Sequence, residues 1–260
     1  MENITFQKKV SKGSRFNQIY IPKEMENLIE VGDLVQIRLL KKQTEIYYKN
    51  QKKLSDFKEY LIKNIFSNLH KFSEIKSIFI TGSFLYKEIY NDIDIILIVN
   101  NEKTHLEESI QSLLTEKFNQ KFHILLFNEE KLNTLIEKDP LIRTMLNNYI
   151  SDRKINLSNK RIIDERHIRF LLMMPEDLLE LEMSSKIFYD NLKRLIAIER
   201  FLKNKKLDRE TILAQLKKEV NPKLLNKIED NKEINDKEIK SLRNLLREKI
   251  INIKKTLENE

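Results

Sequence analysis

ITGSFLYKEIYNDIDIILIV, residues 80–99, is the stretch that decides how the chain is read. An apolar run ends in Gly82-Ser83, a bulky connector follows, and Asp92-Ile93-Asp94 opens a second apolar run. The whole chain of 260 residues has only three glycines, so one placed here calls for a local reason. Glycine reaches backbone conformations closed to other residues and lets another group approach the chain closely. Side chains two apart on a strand face the same way. Asp92 and Asp94 therefore project together, while Ile93 and Ile95 point into packing. Paired carboxylates repel, and a cation relieves them. Mg2+ takes one or two protein carboxylates together with phosphate oxygens.

The flanking elements follow from periodicity. Phe57, Leu61, Ile62, Ile65, Phe66 and Leu69 recur at helical spacing, with Ser55 or Asp56 placed to cap that helix. IKSIFIT (75–81) reads as a strand and DIDIILIV (92–99) as a central strand, apolar on both faces after its first residues. THLEESIQSLLTEKF (104–118) is an amphipathic helix, KFHILLF (121–127) a third strand, and a further helix starts at Asn128. From residue 140 onward only helical pattern is visible. Pro140 and Pro175 open helical stretches, Asp208 and Asp236 are placed as caps, and Asn221-Pro222 is a break. No heptad persists, which favours a bundle over a long coiled coil.

Gly-Ser, a connector, then Asp-x-Asp at the head of an apolar strand resembles the polymerase-β-like nucleotidyltransferases, especially the minimal ones. The resemblance covers about residues 55–140. It implies transfer of a nucleotide from an NTP to a hydroxyl acceptor, with two Mg2+ (or Mn2+) ions. Asp92 and Asp94 would hold the metal, and Gly82 and Ser83 the β- and γ-phosphates, with Lys87 of the connector as a further phosphate ligand. The family's third carboxylate lies on the following strand. No aspartate stands between Asn119 and Glu129, and the polar residue on that strand is His123. Three readings of His123 stay open: a core histidine, a general base with an ordinary pKa of about 6.5, or the mark of lost catalysis.

Upstream, VSKGSRFNQIYIPKEMENLIEVGDLVQIRL resembles the AbrB/SpoVT-type swapped-hairpin domains, through Gly13, Arg15, Ile21, Pro22, Lys23, Gly32 and Asp33. The pattern predicts strands over ITFQKKV and RFNQIYI, a helix over PKEMENLI, a strand over VGDLVQIRLL and a last short one at EIYY. The resemblance implies an interlocked homodimer and DNA binding, with Lys8, Lys9, Lys12 and Arg15 as phosphate contacts. A dimerisation module with an ordinary basic surface is the alternative. Residues 49–54 read as a linker.

The net charge is +8, with excesses of +4 in residues 1–56 and +5 in 201–260 and a slightly acidic centre. Basic ends invite a polyanion, DNA or RNA; a compositional bias toward lysine explains them equally. The absence of cysteine excludes disulfides, thiolate metal sites and a cysteine nucleophile. No apolar run is long enough to cross a bilayer, and the N-terminus has no apolar signal region, so a cytoplasmic protein without a membrane partner is expected. Arg161 and His167 have a spacing that resembles HEPN ribonucleases, though they flank a helix start. The expected class is α+β: a β-rich N-terminal domain (1–50), a nucleotidyltransferase core with a short mixed sheet (55–140) and an all-α C-terminal region (141–260). A nucleotidyltransferase is set against a catalytically degenerate, nucleotide-sensing DNA-binding regulator of antitoxin type.

Overall fold

The computed structural model describes residues 5–38, 45–100, 105–181, 184–230 and 232–258. The chain is mixed α/β and divides into two compact units, residues 1–43 and 44–260.

In the first unit, β1 (Ser11–Lys12) and β2 (Asn17–Gln18) pair antiparallel, and the Gly13 N–H closes the turn by donating to the Phe16 carbonyl at 2.9 Å. After Pro22 comes one 3-10 turn, Lys23–Met25, in place of the expected helix. The described part of VGDLVQIRLL, residues 31–38, forms no strand; residues 39 and 40 lie outside the described residues. The physical reason is burial. None of residues 5–38 is buried, and Phe16, Leu28, Val31, Leu34 and Ile37 are all exposed. A lone hairpin and a two-turn helix gain too little from backbone hydrogen bonds to extend without an apolar surface to pack on.

The second unit is built on a five-stranded sheet. Its order is β3 (Tyr47–Lys49), β7 (Tyr149–Ser151), β4 (Ile75–Thr81), β5 (Asp92–Val99), β6 (Lys121–Phe127). All neighbours are antiparallel except β5 and β6. EIYY thus joins this sheet through β3, not the N-terminal unit. Strand β7 interrupts a region expected to be helical; three residues are too few to show a period.

Helices α1 (Asp56–Leu69) and α2 (Leu106–Phe118) cover one face, where Ile62, Ile65 and Ile110 pack on Ile78, Ile93, Ile95 and Leu97. Helices α3 (Glu129–Lys138) and α4 (Pro140–Met145) cover the other, over Phe79, Ile96 and Ile98. Strand β5 is therefore buried on both sides except at Asp92 and Asp94, which share the face of Ile96 and Ile98.

The rest is helical: α5 (Glu165–Asp177), α6 (Ser185–Leu202), α7 (Arg209–Glu219), α8 (Pro222–Glu229) and α9 (Asp236–Glu258). Pro175 does not open a helix; it is buried in the last turn of α5, whose end lies two residues beyond it. Asp208 and Asn221 cap α7 and α8 as their positions suggest. Asn235, not Asp236, caps α9: its Oδ1 accepts from the Glu238 N–H at 2.9 Å, and Glu238 returns the bond to the Asn235 N–H. Helix α6 is the hub, packed by α4, α5, α7, α8 and α9, with Phe188, Leu192, Leu195, Ile196 and Ile198 fully buried.

Polar cross-links sit on this apolar frame. Lys249 of α9, 7% exposed, reaches Glu199 of α6 at 2.9 Å and Glu219 of α7 at 2.8 Å. Burial pushes Glu199 up, but hydrogen bonds from Lys203 and Lys249 outweigh it and hold its pKa below the ordinary carboxylate value. Removing the lysine takes a charge partner from two partly buried carboxylates and leaves Glu199 with Lys203. Lys249→Ala is expected to lower stability by about 2–3 kcal/mol in urea unfolding, with little change in m-value. The linkage sign follows from the depressed Glu199 pKa: the loss is full at neutral pH and shrinks as acid protonates Glu199.

Candidate nucleotide and metal site

The site is built at one end of β4, β5 and β6. Strand β4 ends at Thr81, and Gly82 turns the chain with φ +78° and ψ −162°, a region essentially closed to residues with a Cβ. A Cβ at residue 82 would lie 1.8 Å from Asp94 Oδ2. This is the local reason for the glycine: the Asp94 carboxylate occupies the space that a side chain there would need. Ser83 follows in a 3-10 turn, Ser83–Leu85.

Asp94 lies opposite Thr81 on one side and His123 on the other; Asp92 lies opposite Lys121. His123 Nδ1 is 3.2 Å from Asp94 Oδ1, with the side chains 59% and 22% exposed. The core-histidine reading is thereby overturned: His123 stands at the surface, bonded to the second aspartate. The Asp94 pKa is raised, first by burial and further by the Asp92 charge, with His123 opposing both. The two carboxylates thus sense each other, as their spacing requires.

The structure brings together Gly82, Ser83, Asp92, Asp94 and His123. Lys87 donates its backbone N–H to the Ser83 carbonyl at 3.0 Å, and it lines a cleft whose wall includes none of Asp92, Asp94 or His123. Among the described residues, no group of three or more His, Asp or Glu side chains forms a ready-made metal cage. The donor set present, two carboxylates, is what Mg2+ takes when phosphates and water complete its shell.

Two residues escaped the sequence reading. Thr81 is fully buried beside Asp94, and its Oγ1 has no hydrogen-bond partner among the described residues; the one signal was a hydroxyl closing an apolar strand. Lys58 of α1 orders the connector by donating to the Phe84 carbonyl at 2.6 Å and the Lys87 carbonyl at 2.7 Å, with its Nζ over the Phe84 and Tyr90 rings. The bulky connector is explained too: Phe84 and Leu85 fill the core under α1.

The other candidates are structural or lie apart. Arg161 donates to the Phe201 and Leu202 carbonyls at the end of α6, and His167 Nε2 is 2.9 Å from Asp139 Oδ2. Asp139 meanwhile caps α4 through its other oxygen, so the ribonuclease-like pair holds helix ends. Lys8, Lys9, Lys12 and Arg15 are exposed on or beside the N-terminal hairpin. No helix among the described residues is long and apolar enough to cross a membrane. No protein-family model matches the chain, and no curated protein matches it.

Gly82→Ala is expected to destabilise the protein by at least about 2 kcal/mol, from backbone strain and the forced displacement of Asp94. Asp94→Asn is expected to raise Tm in EDTA at neutral pH. A raised folded-state pKa means the charged form weakens the fold, so the penalty is full above that pKa and fades toward the ordinary value of about 3.9. The gain of the variant over the parent should accordingly disappear in thermal melts below about pH 4.

Proposed function

We propose that the protein is a nucleotidyltransferase that moves a nucleotide from an NTP such as ATP to an acceptor hydroxyl. One observation carries the reading: the Gly82 turn and the Asp94 carboxylate are fitted to each other within a single Cβ radius, with Asp92 on the same face. An arrangement that places two repelling, partly buried carboxylates side by side costs stability and is explained by a bound cation and polyphosphate.

Asp92 and Asp94 would hold Mg2+ (or Mn2+), which supplies neutralisation of charge on the phosphates. Gly82 shapes the turn that presents Ser83, whose hydroxyl donates to the β- and γ-phosphates. The acceptor oxygen bonds to the α-phosphorus in line, the bond to the bridging oxygen breaks, and pyrophosphate leaves with the electron pair. His123 takes the acceptor's proton. Asp94 engages its Nδ1, which orients the ring and leaves Nε2 for that task.

The test is incubation with Mg2+ or Mn2+, α-labelled NTPs and RNA or protein acceptors. Label transfer is expected, falling at least ~100-fold in Asp92→Asn/Asp94→Asn and roughly 100-fold in His123→Gln. Undiminished transfer in the double variant would overturn the reading, as would the absence of metal-dependent NTP binding.

The regulator remains a second reading, favoured by the N-terminal unit. Its apolar residues, among them Val31, Leu34 and Ile37, are exposed beside a basic hairpin, and an unburied apolar set of this kind suits pairing with a second copy of the same unit. Full-length protein is then expected to sediment as a dimer and Leu34→Asp/Ile37→Asp as a monomer. A DNA shift that weakens with salt should be lost in Lys8→Ala/Lys9→Ala/Lys12→Ala/Arg15→Ala. A monomeric parent that shifts no DNA would remove this reading.

A further inference from the structure

A cleft of about 640 Å3 opens in the second unit between residues 50–55, the connector at 85–88, Asn147-Asn148 and residues 206–210. A smaller one of about 280 Å3 adjoins it, sharing Asn147 and Lys206. We propose that together they form a groove that binds the phosphodiester backbone of a single-stranded nucleic acid. The proposal is independent of the transferase reading, since neither Asp92, Asp94 nor His123 lines either cleft.

Charge carries the inference. Nine cationic side chains line the two clefts against three carboxylates, Glu88, Asp208 and Glu210. That excess of six compares with +8 for the whole chain. Lys52, Lys53, Lys87 and Lys205 are exposed and make no ion pair among the described residues. Lys58, Arg143 and Arg161 are bonded to backbone carbonyls, which fixes their place without cancelling their charge. Arg143 and Arg161 lie close enough to feel each other: burial first, then the Arg161 charge, pulls Arg143 below its ordinary pKa. Among the described residues, Lys206 pairs with Asp208 of the wall at 3.0 Å, and Lys58 feels the charge of Glu88.

Shape selects the kind of polyanion. The basic surface is concave, whereas a duplex is read by an element that enters its grooves. A flexible single strand follows a positive groove and stacks its bases on aromatic rings. Tyr86, with Arg209 over its ring at 4.7 Å, lies in the wall for that purpose. Two joined clefts also hold several successive phosphates, more than one small polyphosphate presents.

The test is fluorescence anisotropy of the full chain with labelled oligo(U) and oligo(dT) of about 20 nucleotides, longer than the ~4–16 that one such groove covers. Binding of at least one is expected, its log affinity falling with log salt by about 0.7 per phosphate neutralised, and the comparison of the two assigns RNA or DNA. Lys52→Glu/Lys53→Glu/Lys87→Glu/Lys205→Glu, all at exposed positions, should weaken binding at least tenfold with unchanged Tm and circular dichroism. Lys8→Glu/Lys9→Glu/Lys12→Glu and Asp92→Asn/Asp94→Asn should bind as the parent does. Unchanged affinity in the groove variant overturns the proposal. So does loss of binding in either control variant, equal competition by a duplex of the same length, or full displacement by tripolyphosphate at equimolar phosphate.

Discussion

The carboxylate of Asp94 lies against Gly82, in the space where any other residue would carry its Cβ. Much of the second unit is arranged around that contact. It requires β4 to end where it does, since Thr81 must face Asp94 in the antiparallel register before the chain turns at a positive φ. It requires the connector to leave tightly, which Phe84 and Leu85 achieve by entering the core and Lys58 by holding two carbonyls behind them. The parallel pairing of β5 with β6 then places His123 on the free side of the same carboxylate.

Two electrostatic environments of opposite sign result. At the end of the sheet, burial and a neighbouring charge raise the Asp94 pKa, and His123 opposes them. Across the connector, the walls of the clefts collect cations at the ends of separate elements: residues 52 and 53 before α1, 143 in α4, 161 before α5, and 205 and 206 between α6 and α7. The connector carries both, with Gly82 and Ser83 at the end of the sheet and Tyr86 and Lys87 in the cleft wall. Local charge in this protein is therefore a property of where elements end, and the modest net charge conceals it.

The legible part of the fold is the part where one pattern dictates one element. IKSIFIT, DIDIILIV and KFHILLF are strands with the expected bounds, because short runs rich in β-branched and aromatic residues pack well on a pleated surface. Ser55, Asn128 and Asp208 cap helices because their side chains accept first-turn N–H groups and need only local geometry. In the N-terminal unit the strand and helix patterns yield only a two-residue-per-strand hairpin and one 3-10 turn, and none of residues 5–38 is buried. Pro175 misled because a proline in a last turn and one in a first turn look alike in sequence.

The candidate site divides in the same way. Glycine, serine and two aspartates at strand ends were readable from the sequence alone, since the alternation of a strand determines which side chains share a face. The pairing of His123 with Asp94, the orphan hydroxyl of Thr81, the bonds from Lys58 and the basic groove depend on strand order, register and helix placement. Those are set by contacts between residues far apart in the chain, whose energies come from packing and burial. Local composition determined which elements form and which polar groups stand at their ends; the tertiary structure alone decided which of those ends meet.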